Sequence, residues 1–153
     1  MKQTIYIGAD HAGFKQKQGL KKFLQQQGYK VIDLGAHKLK PKDDYPVYAY
    51  SVAKAVAGGK GKGILVCGSA EGICVAANKV KGIRAVPVWT LKNAILSRQH
   101  NDANILCLSG WELSLAHAKK ITKAWLETPF SGETRHVRRI KEITKIEHGK
   151  KPN

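Results

Sequence analysis

Cys67-Gly68-Ser69-Ala70-Glu71-Gly72 places a thiol, a hydroxyl and two glycines within six consecutive residues. A thiolate is a competent general base, and the N–H groups of a glycine-flanked turn can hold a developing enolate oxygen. Ile64, Leu65 and Val66 precede the run and read as a short buried parallel strand. Ile73, Val75, Ala76 and Ala77 follow it and read as the start of a buried helix. A ligand in an open α/β sheet binds at such a strand exit, beside a helix N-terminus. That terminus is expected to lower the Cys67 pKa and favour the thiolate. The blander reading is a buried structural thiol, which is the expectation for Cys74 and Cys107 inside their apolar runs. Ser69 also reads as the helix N-cap, and Glu71 as a carboxylate that complements the helix dipole.

Asp10-His11 closes an earlier apolar run, with Asp10 readable as an N-cap. Strand exits of a parallel sheet share one edge, so Asp10 neighbours Cys67 if their strands are adjacent. His100-Asn101-Asp102 follows a helix and precedes a strand, which puts it at the opposite edge of the same chain. Arg135, Arg138 and Arg139 share a helix face at i, i+3 and i+4. They form a solvated basic face or a phosphate clamp, since guanidinium suits oxyanions.

The elements that position these groups alternate in type. Strands are expected over Thr4–Ala9, Tyr29–Leu34, Gly63–Cys67, Ile83–Val88 and Ala103–Leu108. Helices are expected from Phe14 to a stop at Gly28, then over Val47–Ala57, Ser69–Lys79, Leu91–Gln99, Leu113–Leu126 and Arg135–His148. The polar, irregular stretch Gly35–Pro46, with Asp43 and Asp44, is a functional-loop candidate. This alternation predicts an α/β fold. It is a Rossmann-like three-layer sandwich: a five-stranded parallel sheet, helices on both faces and a C-terminal basic helix.

At 153 residues the chain is expected to form a single domain, 1–153. No run approaches the roughly 18 apolar residues of a membrane span. The start, MKQTIYIGAD, enters a strand directly and lacks a signal-peptide apolar region. Three irregularly spaced cysteines make neither a disulfide framework nor a zinc pattern, so a cytoplasmic protein with free thiols is expected. The net charge of +16 suits anionic ligands and non-specific contact with nucleic acid. Most lysines scatter over helix faces, where they read as solvated surface, and no nucleic-acid motif is present, so that partner is not expected.

The motifs Gly8-Ala9-Asp10-His11-Ala12-Gly13, Asp44-Tyr45-Pro46, Cys67-Gly68-Ser69, Gly72-Ile73, Ala76-Ala77-Asn78-Lys79, Gly82-Ile83-Arg84-Ala85 and Ser97-Arg98-Gln99-His100-Asn101-Asp102-Ala103-Asn104 occur in this order. Together they resemble the type B ribose-5-phosphate isomerase family, which includes isomerases of allose and galactose 6-phosphates. The resemblance runs from about Ile5 to Glu147. It implies aldose–ketose isomerisation through an enediolate, without metal or cofactor. By position, Cys67 is the implied base, Ser69 orients it, and the N–H groups of Gly68 to Gly72 hold the enediolate oxygens. Members without the cysteine use a glutamate at the position of Ile73. His100 is implied to assist ring opening, with Asp10 a polar partner. His11, Arg135 and Arg139 are implied to hold the phosphate, and Tyr45 and Asn101 to contact substrate. Members are dimers, often paired into tetramers, so His100 and Asn101 would come from a partner subunit.

Two positions depart from the family pattern. Trp111 stands where an arginine is common, and Ala70-Glu71 stands where a glycine and a neutral residue are common. Glu71 is expected to oppose ionisation of Cys67. These departures keep open another sugar phosphate or a non-phosphorylated sugar. A non-catalytic sugar-phosphate sensor and a nucleic-acid-binding protein are the remaining alternatives.

Overall fold

The computed structural model describes residues 2–153. Five strands form one sheet: β1 (Thr4–Ala9), β2 (Lys30–Asp33), β3 (Gly61–Cys67), β4 (Ala85–Pro87) and β5 (Ile105–Ser109). Their order is β2-β1-β3-β5-β4, and every pair is parallel. The helices are α1 (Phe14–Gln26), α2 (Tyr45–Ala57), α3 (Glu71–Ala77), α4 (Leu91–Asn101), α5 (Leu115–Glu127) and α6 (Thr134–Glu147). The expected three-layer α/β sandwich is therefore the observed one.

Alternating strand residues feed two cores, because successive side chains point to opposite faces. Ile5, Ile7, Ile64, Val66, Leu106 and Leu108 pack beneath α1, α4 and α5. Leu65, Cys67, Ile105 and Cys107 pack beneath α2 and α3. The central strand β3 is buried on both faces from Gly63 to Cys67, which explains its unbroken apolar run.

Element ends differ from the sequence expectations for local reasons. β3 starts at Gly61 because β1 pairs with it from Thr4 onward. α2 starts at Tyr45, with Pro46 in the first turn, where a missing N–H costs nothing. α3 is only seven residues long, and Asn78 leaves it to bond both Ala85 N–H and Ala85 C=O. α4 continues through His100 and Asn101, and Asp102 ends it in a left-handed conformation. Arg84 and Arg98 grip this corner. Arg98 Nη1 donates to Asp102 Oδ1 at 2.7 Å, and Arg84 Nη2 donates to Asp102 Oδ2 at 3.1 Å.

The loop after β2 hangs from a buried ion pair. Lys17 Nζ, fully buried, donates to Asp33 Oδ1 at 2.6 Å and to Ala36 C=O at 2.7 Å. Lys21 Nζ and Gly35 N–H also donate to Asp33. Burial alone would raise the Asp33 carboxyl, but the donors from Lys17, Gly35 and Lys21 outweigh it and hold it below the usual range. Burial also works against the Lys17 charge and lowers its pKa. The pair remains ionised, because the short hydrogen bonds satisfy both charges.

Lys17→Met is expected to cost about 3 kcal/mol in urea unfolding, because it leaves Asp33 buried with only the partly exposed Lys21 ammonium and the Gly35 N–H. Lys21→Ala, at the exposed side of the pair, should cost less than about 1 kcal/mol. The Asp33 contribution should be complete above the unfolded-chain value near pH 3.9. It should vanish as pH falls through the lower folded value, and Lys17→Met should flatten that acid limb.

Candidate active site

Parallel register assembles the cleft. Ala9 pairs with Val66, so the next residues, Asp10 and Cys67, leave neighbouring strands at one edge. Cys67 pairs with Ser109 across β3 and β5. Ser109 Oγ donates to Gly68 C=O at 2.6 Å, and Gly110 N–H donates to Cys67 C=O at 2.7 Å. The β5 exit thus fixes the turn that carries the thiol. A cleft of about 320 Å³ results, lined by Asp10, His11, Tyr45, Cys67, Ser69 and Trp111 with Gly68 and Gly72.

Both glycines are needed for close approach. A Cβ on Gly68 would lie 2.5 Å from Trp111 Cζ2, and one on Gly72 would lie 2.7 Å from Tyr45 Cζ. The two aromatic rings therefore rest on bare backbone at either side of the turn. Trp111 is 75% exposed and forms an open wall.

The turn itself differs from the sequence reading. Ser69 does not cap α3. The N-cap is Ala70, left-handed at φ 72°, with no side-chain hydrogen bond. A non-glycine residue there carries backbone strain of about 1 kcal/mol. Asp10 is not a helix cap either; α1 is preceded by Gly13, whose N–H donates to Asp10 Oδ1 at 3.1 Å. Ser69 is left facing the cleft.

The expected lowering of the Cys67 pKa is overturned. Burial pushes the thiol up, and the Asp10 carboxylate pushes the same way. The N–H groups of Ile73, Ala70 and Ser69 pull it down without prevailing, and Cys67 is 3% exposed. The carboxylate acting on the thiol is that of Asp10, whereas Glu71 lies exposed in the first turn of α3. Burial also raises Asp10 itself, against hydrogen bonds from Gly13 and Ala12 and the charge of His11.

His11 is held by a residue that sequence reasoning left unassigned. Asp43 Oδ1 accepts the His11 backbone N–H at 2.8 Å and contacts Nδ1 at 2.9 Å. The loop was visible in the sequence, but spacing gave no sign of which acid turned inward. Asp44 precedes α2 with no capping bond.

The remaining candidates do not join this cleft. His100 and Asn101 end α4 at the opposite edge, as expected for one chain. Arg135 and Arg139 lie on α6, and Arg135 Nε pairs with Glu133 at 2.9 Å. His136, missed among these arginines, is the buried residue of α6. Its ring lies 4.3 Å from that of His100, and Nδ1 meets Ser131 Oγ at 2.8 Å. Nothing in the sequence marked it, because its burial depends on the fold that brings α6 against the end of α4.

Alkylation of Cys67 by iodoacetamide in the ligand-free protein should keep accelerating beyond pH 9, the ordinary thiol value. A plateau near neutral pH would show that the N–H groups dominate burial.

The chain matches the family model described as Ribose/Galactose Isomerase over residues 5–143. It is 44% identical over 151 residues to the probable ribose-5-phosphate isomerase B of Mycoplasma pneumoniae, covering 98% of this chain and 99% of that one. It is 46% identical over 146 residues to ribose-5-phosphate isomerase B of Escherichia coli, covering 95% and 97%. Ribose-5-phosphate isomerase B from Mycoplasma genitalium, solved with bound ribulose-5-phosphate, superposes with a TM-score of 0.92 at 41% identity, covering 95% and 96%. With fold, motif order and sequence in agreement along nearly its whole length, the chain belongs to the ribose/galactose isomerase family.

Proposed function

We propose that the protein interconverts ribose 5-phosphate and ribulose 5-phosphate through an enediolate. The observation that carries this reading is the Cys67 thiol at a strand exit, with the N–H groups of Ser69, Ala70 and Ile73 directed at it. The relatives named above are ribose-5-phosphate isomerases B, and one of them holds ribulose-5-phosphate.

In this scheme the Cys67 thiolate takes the proton from C2 of the open aldose. The C2–H electron pair becomes the C1–C2 double bond, and negative charge moves to the oxygen on C1. Backbone N–H groups of the Gly68–Gly72 turn hold the enediolate oxygens. A proton passes from the C2 hydroxyl to the C1 oxygen, which moves the charge to the C2 oxygen; that oxygen's electron pair then forms the ketone as the double-bond pair takes the proton of the thiol at C1. Ser69 orients the substrate, and Asp10 meets its hydroxyls. Tyr45 and Trp111 flank the carbon chain. His11 meets the phosphate at the far end, where binding energy positions the reacting carbons.

The other half of the machinery belongs to a partner subunit in this reading. His100 assists ring opening, Asn101 contacts the sugar, and Arg135 and Arg139 complete the phosphate site. Two features support a homodimer or homotetramer. The two groups of residues lie at opposite edges of one chain. α6 also carries Ile143 and Ile146 exposed, a face that a second copy covers. Among the described residues no helix is long and apolar enough to cross a membrane. The free thiols of Cys67, Cys74 and Cys107 suit a reducing compartment, and on that ground we place the enzyme in the cytoplasm.

Trp111 favours one further reading, in which another sugar fits better, because an indole supplies no charge to a phosphate. Assays of allose 6-phosphate and free ribose beside ribose 5-phosphate separate the two.

Cys67→Ala should lower kcat for ribose 5-phosphate by at least ~10³-fold while the circular dichroism spectrum stays unchanged. Turnover at the wild-type rate would remove Cys67 as the base. Because burial favours the protonated thiol, kcat/KM of the wild type should climb with pH from neutrality toward the thiol pKa. A falling profile over that range would contradict thiolate catalysis.

A further inference from the structure

His11 reaches the cleft with its side chain 39% exposed, so packing alone does not fix its ring. It is held from behind. Asp43 is 5% exposed at its side chain, and both of its oxygens are engaged. Oδ1 accepts the His11 backbone N–H at 2.8 Å and meets Nδ1 at 2.9 Å. Oδ2 accepts the Tyr48 hydroxyl at 2.8 Å. Burial would raise the Asp43 carboxyl, but these hydrogen bonds outweigh it and hold it below the usual range. Asp43 is therefore a carboxylate and only accepts, so Nδ1 of His11 carries a hydrogen, and the ring donates to an oxyanion from Nε2 in its imidazolium form, with a hydrogen on both nitrogens.

We infer that Asp43 is a positioning residue, which holds the His11 ring with Nε2 turned to the cleft as the contact for an oxyanion group of the substrate. This rests on the reading above, in which His11 meets the sugar phosphate. An unscreened carboxylate beside a phosphate would repel it. Here three donors from His11 and Tyr48 engage both oxygens, so Asp43 orients the imidazole with much of its charge already answered. The arrangement also gives the Gly35–Asp44 loop a task. Lys17 and Asp33 pin its start at Ala36, and Asp43 and Tyr48 pin its end. Other ionisable groups around the pair are Asp10 at the β1 exit and Cys67 at the β3 exit.

The test compares wild type, Asp43→Ala and Asp43→Asn in the full chain. For Asp43→Ala, KM for ribose 5-phosphate should rise about tenfold with kcat within about twofold. The dissociation constant of inorganic phosphate should rise by the same factor. Asp43→Asn keeps an acceptor oxygen for His11 and should recover most of the loss. An unchanged KM and phosphate affinity in Asp43→Ala overturns the inference, as does a fall in kcat with KM unchanged. Should Asp43→Ala fail to fold, ¹⁵N NMR of His11 in the wild type decides. A hydrogen on Nδ1, joined by one on Nε2 when inorganic phosphate is bound, supports the inference; a ring without a hydrogen on Nδ1, or one that binds phosphate with Nε2 bare, overturns it. If the wild type binds phosphate but leaves ribose 5-phosphate untouched, the proposed reaction fails. The phosphate and NMR measurements then still judge Asp43.

Discussion

Parallel pairing of β1, β3 and β5 is the constraint on which the cleft depends. It brings Asp10, Cys67 and Ser109 to one edge without any contact between their side chains being needed. The hydrogen bonds of the ladder then continue beyond the strands. Ser109 and Gly110 hold the Gly68 and Cys67 carbonyls, so the turn over the thiol is an extension of the sheet. A rigid support of this kind holds a side chain in place better than a free loop does. The opposite edge is built by different means. There Asp102, in a left-handed conformation, is gripped by Arg84 and Arg98, and the end of α4 is held in place.

The thiol sits between opposing influences. Three N–H groups favour its charge, while burial and the Asp10 carboxylate oppose it, and opposition prevails. A buried, protonated thiol is slow to oxidise or alkylate. The same donors remain in place for negative charge that arises on a bound ligand. At rest, therefore, the turn keeps its donors around a neutral thiol.

Much of the fold was legible in the sequence. The alternation of short apolar runs with helical spacing led to five parallel strands and helices on both faces; Asp10 was expected beside Cys67 only if β1 and β3 were adjacent, and the structure meets that condition. Ends of elements were less legible, because they depend on partners distant in sequence. Gly61 belongs to β3 only since Thr4 pairs with it. Within the site, residue types were readable, but their surroundings were not. The thiolate expectation weighed the helix terminus and had no measure of burial. Ser69 looked like a cap because its type and place fit, yet Ala70 occupies that position. Asp43 and His136 became visible only once the chain had folded back on itself. Their partners, His11 and His100, lie 32 and 36 residues away.

The contact of Trp111 with Gly68 and of Tyr45 with Gly72 has an evolutionary consequence. Each ring occupies the volume that any side chain on its glycine would need. The members of each pair are therefore not free to drift independently. A larger residue at 68 or 72 becomes acceptable only after the ring above it has shrunk or moved, whereas the rings can be lost while the glycines stay. Change at the cleft walls is thus coupled in pairs. At 68 the largely exposed indole has room to answer a new side chain by swinging aside, so one substitution in the floor of the pocket would also redraw its rim.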